Sequence, residues 1–435
     1  MTVSARATTL ARQFTDFIAA SPSSYHAAAE VARRLEGAGY AREDEATTWG
    51  ADAVSPGGHY IIRGGALIAW DVPEDIDGTG PATAGFRIIG SHTDSPGLKL
   101  KPLGDLAGPA GWKQAAVEIY GGAVLPSWLD RELRLAGRVV LADGTERLVA
   151  TGPVLRVPHL AIHLDRSVNN DLTLDRQNHM QPVFAVGDGA STILDVIADA
   201  LGDPDTDADD IVAHDLITVD TQHGGIFGAR SDFLAAGRMD NLSSVFTSLE
   251  ALLTASPGKQ DIRVLAAFDH EEIGSATTSG AAGPVLEDVL VRIASSLGAD
   301  AAAIRAMYAR SSCVSADAAH SVHPNFAGKH DGVNRPVMNA GPVLKVNANQ
   351  RYATDAVTAA RWRRACAAAG VPEQVFAGNN DVPCGSTIGP ITATRLGIPT
   401  VDVGIPLLSM HSAREMAGVE DIAWFTDALR AWWEL

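Results

Sequence analysis

Residues 262–275 read IRVLAAFDHEEIGS: a short, largely apolar run from Ile262 to Phe268, closed by a turn that carries two adjacent acids, Glu271 and Glu272. A short apolar run that ends in a polar turn is the pattern of a buried strand. Phe86 to Ile89, ending at Gly90, is a second such run, and Thr400 to Val403, bounded by Pro399 and Gly404, is a third. Between them, residues such as Leu242, Val245, Phe246, Leu249, Leu252 and Leu253 recur at helical spacing. Buried runs alternating with amphipathic helices imply an α/β mixed sheet with helical cover.

The middle of the chain is patterned differently. From about Leu98 to Gly237 the segments are shorter and β-rich, and Leu135 to Ala142, Asp143-Gly144 and Arg147 to Thr151 spell a hairpin. The expected organisation is a discontinuous domain, residues 1–97 and 237–435, with a β-rich domain, 98–236, inserted into it. At 435 residues the chain is too long for one core of ordinary size. The tract Asp203 to Asp210 reads as a solvated acidic loop.

Composition narrows the function classes. With 34 Lys and Arg against 52 Asp and Glu the formal charge is -18, which argues against nucleic-acid and anionic-membrane partners. Three cysteines, Cys313, Cys366 and Cys384, form neither a disulfide framework nor a CxxC pair, so a reducing compartment and a cytoplasmic location are expected. Leu10, Phe14, Phe17 and Ile18 recur as on an amphipathic helix, so the start is not read as a signal peptide. No apolar stretch is long enough to span a membrane.

Hydrolytic metal centres are built from His nitrogens and carboxylate oxygens, and five such groups fall at the ends of expected elements. His92, in GSHTDSPG, follows the Phe86 run and should stand at the carboxyl edge of the sheet, with Asp94 two residues on to orient its ring. Asp240, in GRMDNLSS, precedes a helix and is either its N-cap or a carboxylate that bridges two metals. Glu271 and Glu272 would repel one another unless cations lie near or one holds a proton. A two-metal hydrolase uses both, one as ligand and the other to move the proton of the attacking water. Asp317, in SCVSADAAH, and His411, in IPLLSMHSAREM, complete the set. Singly each is ordinary; their joint placement at element ends of one α/β domain is what points to a metal site.

Seven segments, SPSSYHAA (21–28), GSHTDSPGLKLKP (90–102), PHLAIHLDR (158–166), GRMDNLSS (237–244), FDHEEIGS (268–275), LKVNANQRYATD (344–355) and PLLSMHSAREM (406–416), resemble in order the aspartyl aminopeptidase family of two-metal, zinc-dependent aminopeptidases. The resemblance runs from about Ser21 to Gly418, with no departure at a metal position. It implies a metallopeptidase domain with an inserted dimerisation domain, and dimers assembled into a tetrahedral dodecamer. It implies two divalent ions, zinc with manganese or cobalt as alternatives, bridged by Asp240. His92 and Asp317 would complete one site, and Glu272 and His411 the other. Glu271 falls at the general base and Asp94 at the acid that orients the histidine. His159 or His163 would reach into a neighbouring subunit's active site.

The implied reaction removes the amino-terminal residue of a peptide, with a preference for Asp or Glu. Lys345 matches the position that supplies the cation for the substrate's acidic side chain, and Asp381, in NNDVPCG, is a candidate for the substrate's α-amine or a cap before Pro383. A related aminopeptidase with neutral preference, or a deacylase, would share the ligands. A catalytically silent assembly or binding protein would have lost Glu271 or a ligand, and none is missing.

Overall fold

The structure is a computed structural model that describes residues 3–74, 76, 80–189, 191–256, 258 and 260–435. The chain opens with helices α1 (Ala5–Ala20) and α2 (Ser24–Gly37), strands β1 (Ala41–Arg42), β2 (Gly57–Arg63) and β3 (Ala66–Val72), the one-turn helix α3 (Gly80–Thr83) and β4 (Phe86–His92). A middle block holds β5 (Gly97–Ala107), β6 (Trp112–Tyr120), β7 (Leu133–Leu141), β8 (Glu146–Ala150), β9 (Val183–Val186), α4 (Ile193–Leu201) and β10 (Ile211–Asp220). Then come β11 (Gly225–Phe227), β12 (Phe233–Ala236), α5 (Met239–Thr254), β13 (Ile262–Phe268), α6 (Val285–Ser296), α7 (Ala301–Arg310), β14 (Ser312–Ala316) and β15 (Ala319–His320). The last part is β16 (Val343–Val346), α8 (Ala356–Ala369), β17 (Gln374–Ala377), α9 (Ile388–Leu396), β18 (Thr400–Gly404), β19 (Pro406–Leu408), β20 (Glu415–Gly418) and α10 (Val419–Glu434).

The main sheet has nine strands in the order β1-β2-β3-β13-β4-β14-β18-β16-β17. β13 lies within it, antiparallel to β3 and parallel to β4, and all seven of its residues are buried. Its run is apolar but for Arg263 because helices cover both faces. Leu265 and Ala267 face the layer of α1, α2, α5, α8 and α10. Val264, Ala266 and Phe268 alternate to the opposite face, onto α6, α7 and α9. β4, β13, β14 and β18 are mutually parallel, so their carboxyl ends share one edge, and the register sets Phe268 opposite His92. The mixed α/β class expected from the sequence is what the chain adopts.

β5 to β10 form a separate six-stranded sheet in the order β8-β7-β10-β5-β6-β9, with its own core around Leu98, Val117, Leu135, Val139 and Leu216. The β7–β8 hairpin turns at Asp143-Gly144, where Gly144 takes φ +86°, a backbone region that glycine enters without steric cost. A division at residue 236 groups β11 and β12 with this block. Their ladder partner is β20, in a five-stranded sheet of order β11-β12-β20-β19-β15. The apolar pattern of such short strands does not specify which strand they pair with.

The six-stranded sheet is tied to α2 by a polar cluster. Asp215 on β10 accepts hydrogen bonds from Lys99 at 3.0 Å, Arg138 at 3.0 Å and the Tyr25 hydroxyl at 3.1 Å. Arg138 also stacks over the Tyr25 ring at 4.5 Å. No helix among the described residues is long and apolar enough to cross a membrane.

Candidate metal centre

The end of β4, the turns after β13 and β14, the start of α5 and the turn after β19 bring their polar residues to one point at the carboxyl edge of the parallel strands. His92 ends β4 and is buried. Its Nδ1 donates to the Asp94 backbone carbonyl at 3.1 Å and lies 3.3 Å from Asp94 Oδ1. A carbonyl only accepts, so Nδ1 carries a proton and Nε2 is the atom that would meet a metal. Nε2 stands 3.5 Å from Asp240 Oδ1, 3.9 Å from Asp317 Oδ1 and 3.9 Å from Glu271 Oε2.

His411 is arranged the same way. Its Nδ1 donates to the Gly122 carbonyl at 3.2 Å, and its Nε2 lies 3.3 Å from Asp240 Oδ2 and 3.4 Å from Glu272 Oε2. The two oxygens of Asp240 therefore face two different imidazoles. Among the described residues no backbone N–H of α5 donates to the Asp240 carboxylate, and its Oδ1 is buried without a hydrogen-bond partner, so it does not act as that helix's cap. Arg238, His270 and His411 all take positive φ, from 61° to 66°. Such conformations in non-glycine residues collect where side-chain aim outweighs backbone comfort.

Three acids that carry no expected metal contact set this frame. Asp94 accepts the backbone N–H groups of Glu271 at 3.0 Å and Glu272 at 3.1 Å, and the Tyr120 hydroxyl at 2.8 Å. Glu415 accepts the N–H of Asp240 at 3.0 Å on one oxygen and that of His411 at 2.9 Å on the other. Asp269 accepts the His270 N–H at 2.9 Å and shapes the start of the acidic turn. Of these only Asp94 is recognisable in the sequence. Glu415 and Tyr120 act through backbone amides and a side chain far off in the chain, which no spacing reveals.

Asp94, Asp240, Glu271, Glu272, Asp317 and Glu415 thus crowd two imidazoles and the Lys345 ammonium. Burial, then the Asp317, Asp240 and Asp94 charges, push Glu271 up to about 7 against the opposing pull of His92. Burial and Asp240 raise Glu272 well above the ordinary range, and burial and Asp240 push Glu415 to about 8. For His411, burial opposes the charged form, yet Asp240 and Glu272 carry it to about 10. Burial is overcome in the same way at His92, which Asp240, Asp317 and Asp94 raise well above its usual value. A cluster in which acids resist charge and imidazoles are driven to it is one that divalent cations would balance.

The donor set fits zinc. Two imidazole Nε2 atoms and three carboxylates are the N and O ligands this metal takes. Asp240 Oδ1 and Glu272 Oε1 are buried without a hydrogen-bond partner. One ligand atom each from His92, Asp240 and Glu272 lie within 4.8 Å of one another.

The remaining expected residues lie outside that cluster or at its margin. Lys345 is 1% exposed; its Nζ donates to the Ala318 carbonyl at 3.1 Å and lies 3.7 Å from Asp317 Oδ2 and 5.0 Å from the Tyr352 ring centre. Asp381 is exposed, its N–H on Asn379 Oδ1 at 2.9 Å, and among the described residues it shares no hydrogen bond or ion pair with the five ligands. His159 and His163 are exposed on a loop of the six-stranded block, His159 with its N–H on Asp130 at 3.1 Å. Neither touches this chain's cluster.

Comparison with known proteins sets this geometry in context. The family model described as aminopeptidase I zinc metalloprotease (M18) matches residues 17–433. A probable M18 family aminopeptidase 2 of Streptomyces avermitilis is 48% identical over 423 residues, 96% of each chain. Among solved structures, a chain of the Ape4 and Nbr1 complex matches with TM-score 0.94 at 34% identity, covering 100% of this chain and 88% of that one. The S. cerevisiae mApe1 dodecamer matches with TM-score 0.84 at 28% identity, covering 98% of this chain and 97% of that one.

Proposed function

The chain belongs to the aminopeptidase I zinc metalloprotease (M18) family, which makes it a metallo-aminopeptidase, and from that premise we propose a two-zinc mechanism with a preference for amino-terminal Asp or Glu. The observation that carries this reading is the split aim of Asp240, one oxygen toward His92 and the other toward His411. His92, Asp240 and Asp317 would hold one ion, and Asp240, Glu272 and His411 the other. Manganese and cobalt accept the same donors.

Zinc held by these residues would supply Lewis acidity to the scissile carbonyl and to the attacking water. Glu271 is the general base. It stands beside His92 without being one of the ligands, the place of a carboxylate that takes the proton of the attacking water and passes it to the leaving amine. Asp94 holds the His92 ring and, through two amides, the Glu271–Glu272 turn. Asp381 is assigned to the substrate's α-amine. His159 or His163 is assigned to a neighbouring subunit's active site, because both are exposed and, among the described residues, neither shares a hydrogen bond or ion pair with this chain's own ligands.

Assembly follows from the same reading: dimers through the block of residues 98–236, twelve subunits in a tetrahedral shell, in the cytoplasm. Exposed Leu160, Ile162 and Leu164 on the histidine-bearing loop support a surface that is covered by another copy.

Lys345 is the specificity residue. An ammonium has three donors, and one is spent on Ala318. Lys345→Met is expected to reduce turnover of an amino-terminal Asp amide by about 10- to 100-fold relative to a Leu amide, the worth of one charge-assisted hydrogen bond. The measurement is hydrolysis of Asp, Glu, Leu, Ala and Lys chromogenic amides after chelation and return of zinc, manganese or cobalt. Equal losses on Asp and Leu would remove Lys345 as selector. Wild-type preference for Leu or Ala would replace acidic with neutral specificity, and no metal-dependent release would reject the peptidase mechanism.

A further inference from the structure

His92 and His411 are oriented alike, each with Nδ1 tied to a backbone carbonyl, but by different parts of the molecule. His92 is held by its own turn, at Asp94. His411 is held by residues 122–124, which follow β6 of the six-stranded sheet and lie nearly three hundred positions away. Gly122 O accepts from Nδ1 at 3.2 Å, and the Val124 N–H donates to the His411 carbonyl at 3.0 Å. The neighbouring Ala413 N–H donates to Ser127 Oγ at 2.9 Å, and the Ala413 methyl is buried in the core of that sheet.

The two glycines allow this approach. A Cβ on Gly122 would lie 3.1 Å from His411 Nδ1, and one on Gly121 would lie 3.1 Å from Glu272 Cβ. Gly121 also takes φ +67°. Directly before them, Tyr120 donates to Asp94 Oδ2 at 2.8 Å, and Asp94 in turn holds His92. Three consecutive residues thus touch the supports of both imidazoles and the side chain of Glu272.

The geometry points to Tyr120-Gly121-Gly122 as a positioning strap: the inserted sheet completes the metal centre of its own chain by fixing the tautomer and aim of His411 and, through Asp94, the ring of His92. This rests on the two-metal reading above and adds that the centre is not built by the nine-stranded domain alone. The strap touches ligands and their supports, not substrate, so its residues are positioning residues. Gly122 is exposed, so an added methyl there meets His411 and not the core.

The test is competition of the chelated full-length protein with a chromogenic zinc chelator, which resolves the two affinities, together with the visible spectrum of the cobalt-loaded protein. His411→Ala marks which affinity belongs to the His411 side, and the thermal midpoint of each variant reports its fold. Gly122→Ala is expected to weaken the His411-side ion by about 10- to 100-fold, the usual effect of disturbing a ligand's hydrogen-bond partner, and to alter the cobalt spectrum at an unchanged midpoint. Tyr120→Phe, which keeps the ring and removes only the hydroxyl, is expected to weaken the His92-side ion instead. Wild-type affinities and cobalt spectra in both variants overturn the strap. A wild-type protein that binds fewer than two ions overturns the pair, and the strap with it, before any variant is made.

Discussion

Glu271→Gln is expected to lower kcat by about 10²- to 10⁴-fold, the range for removing a general base, while the protein keeps its zinc. The two halves of this expectation come from separate observations. Glu271 Oε2 lies 3.9 Å from His92 Nε2, farther than the Asp240 oxygen at 3.5 Å, and under the proposed assignment each ion has its ligands without it. A carboxylate can take and release the proton of the attacking water, and the Gln amide cannot. Gln preserves volume, and the Glu271 N–H that anchors the turn to Asp94 is unaffected. A variant that loses zinc in step with activity would make Glu271 a ligand, and one that retains activity would remove it from the mechanism.

Asp240→Ala is the second large effect. Under the proposed bridging role one substitution acts on both ions, whereas His411→Ala acts on one. Zinc content is expected to fall below one ion per chain in the first variant and to about one in the second, as the bridging assignment requires. The Lewis-acid contribution is worth several kcal/mol, so activity of Asp240→Ala should drop by about 10³-fold or more. The fold should tolerate the change. Asp240 is 4% exposed, but it raises both Glu272 and Glu415, so its removal relieves like-charge crowding. The N–H that Glu415 accepts is backbone and remains. Equal zinc content in the two variants, measured by elemental analysis after gel filtration, would contradict a bridging role.

The sequence carries much of this account because buried parallel strands and their turns are local signals. Ile262–Phe268, Phe86–Ile89 and Thr400–Val403 all form strands of the main sheet, and the five candidate ligands sit in the turns that follow strands or open a helix. Once strands are parallel, the turns at their carboxyl ends must meet, so an α/β pattern with polar turn residues already locates a site. Asp240 stays ambiguous until the backbone is seen, since capping and bridging ask for the same residue at the same place.

What the sequence conceals is long-range. Glu415 supports Asp240 across 175 positions and His411 across four, through backbone N–H groups that any residue possesses. Gly121 and Gly122 look like ordinary turn glycines, and their closeness to Glu272 and His411 exists only after two sheets dock. β12, which carries β11 on its other side, pairs with β20 almost two hundred residues on, and three- or four-residue strands hold too little pattern to name a partner. His159 and His163 are exposed within one chain, so no intrachain contact distinguishes between them.

The account turns on a metal pair shared by Asp240, and the direct measurement is the number of zinc ions that the chelated wild-type protein takes up as hydrolysis of an amino-terminal Asp amide is restored. The expected result is two ions per chain, with activity returning as they bind. Uptake of a single ion with full activity, or activity that survives complete removal of metal, would contradict it.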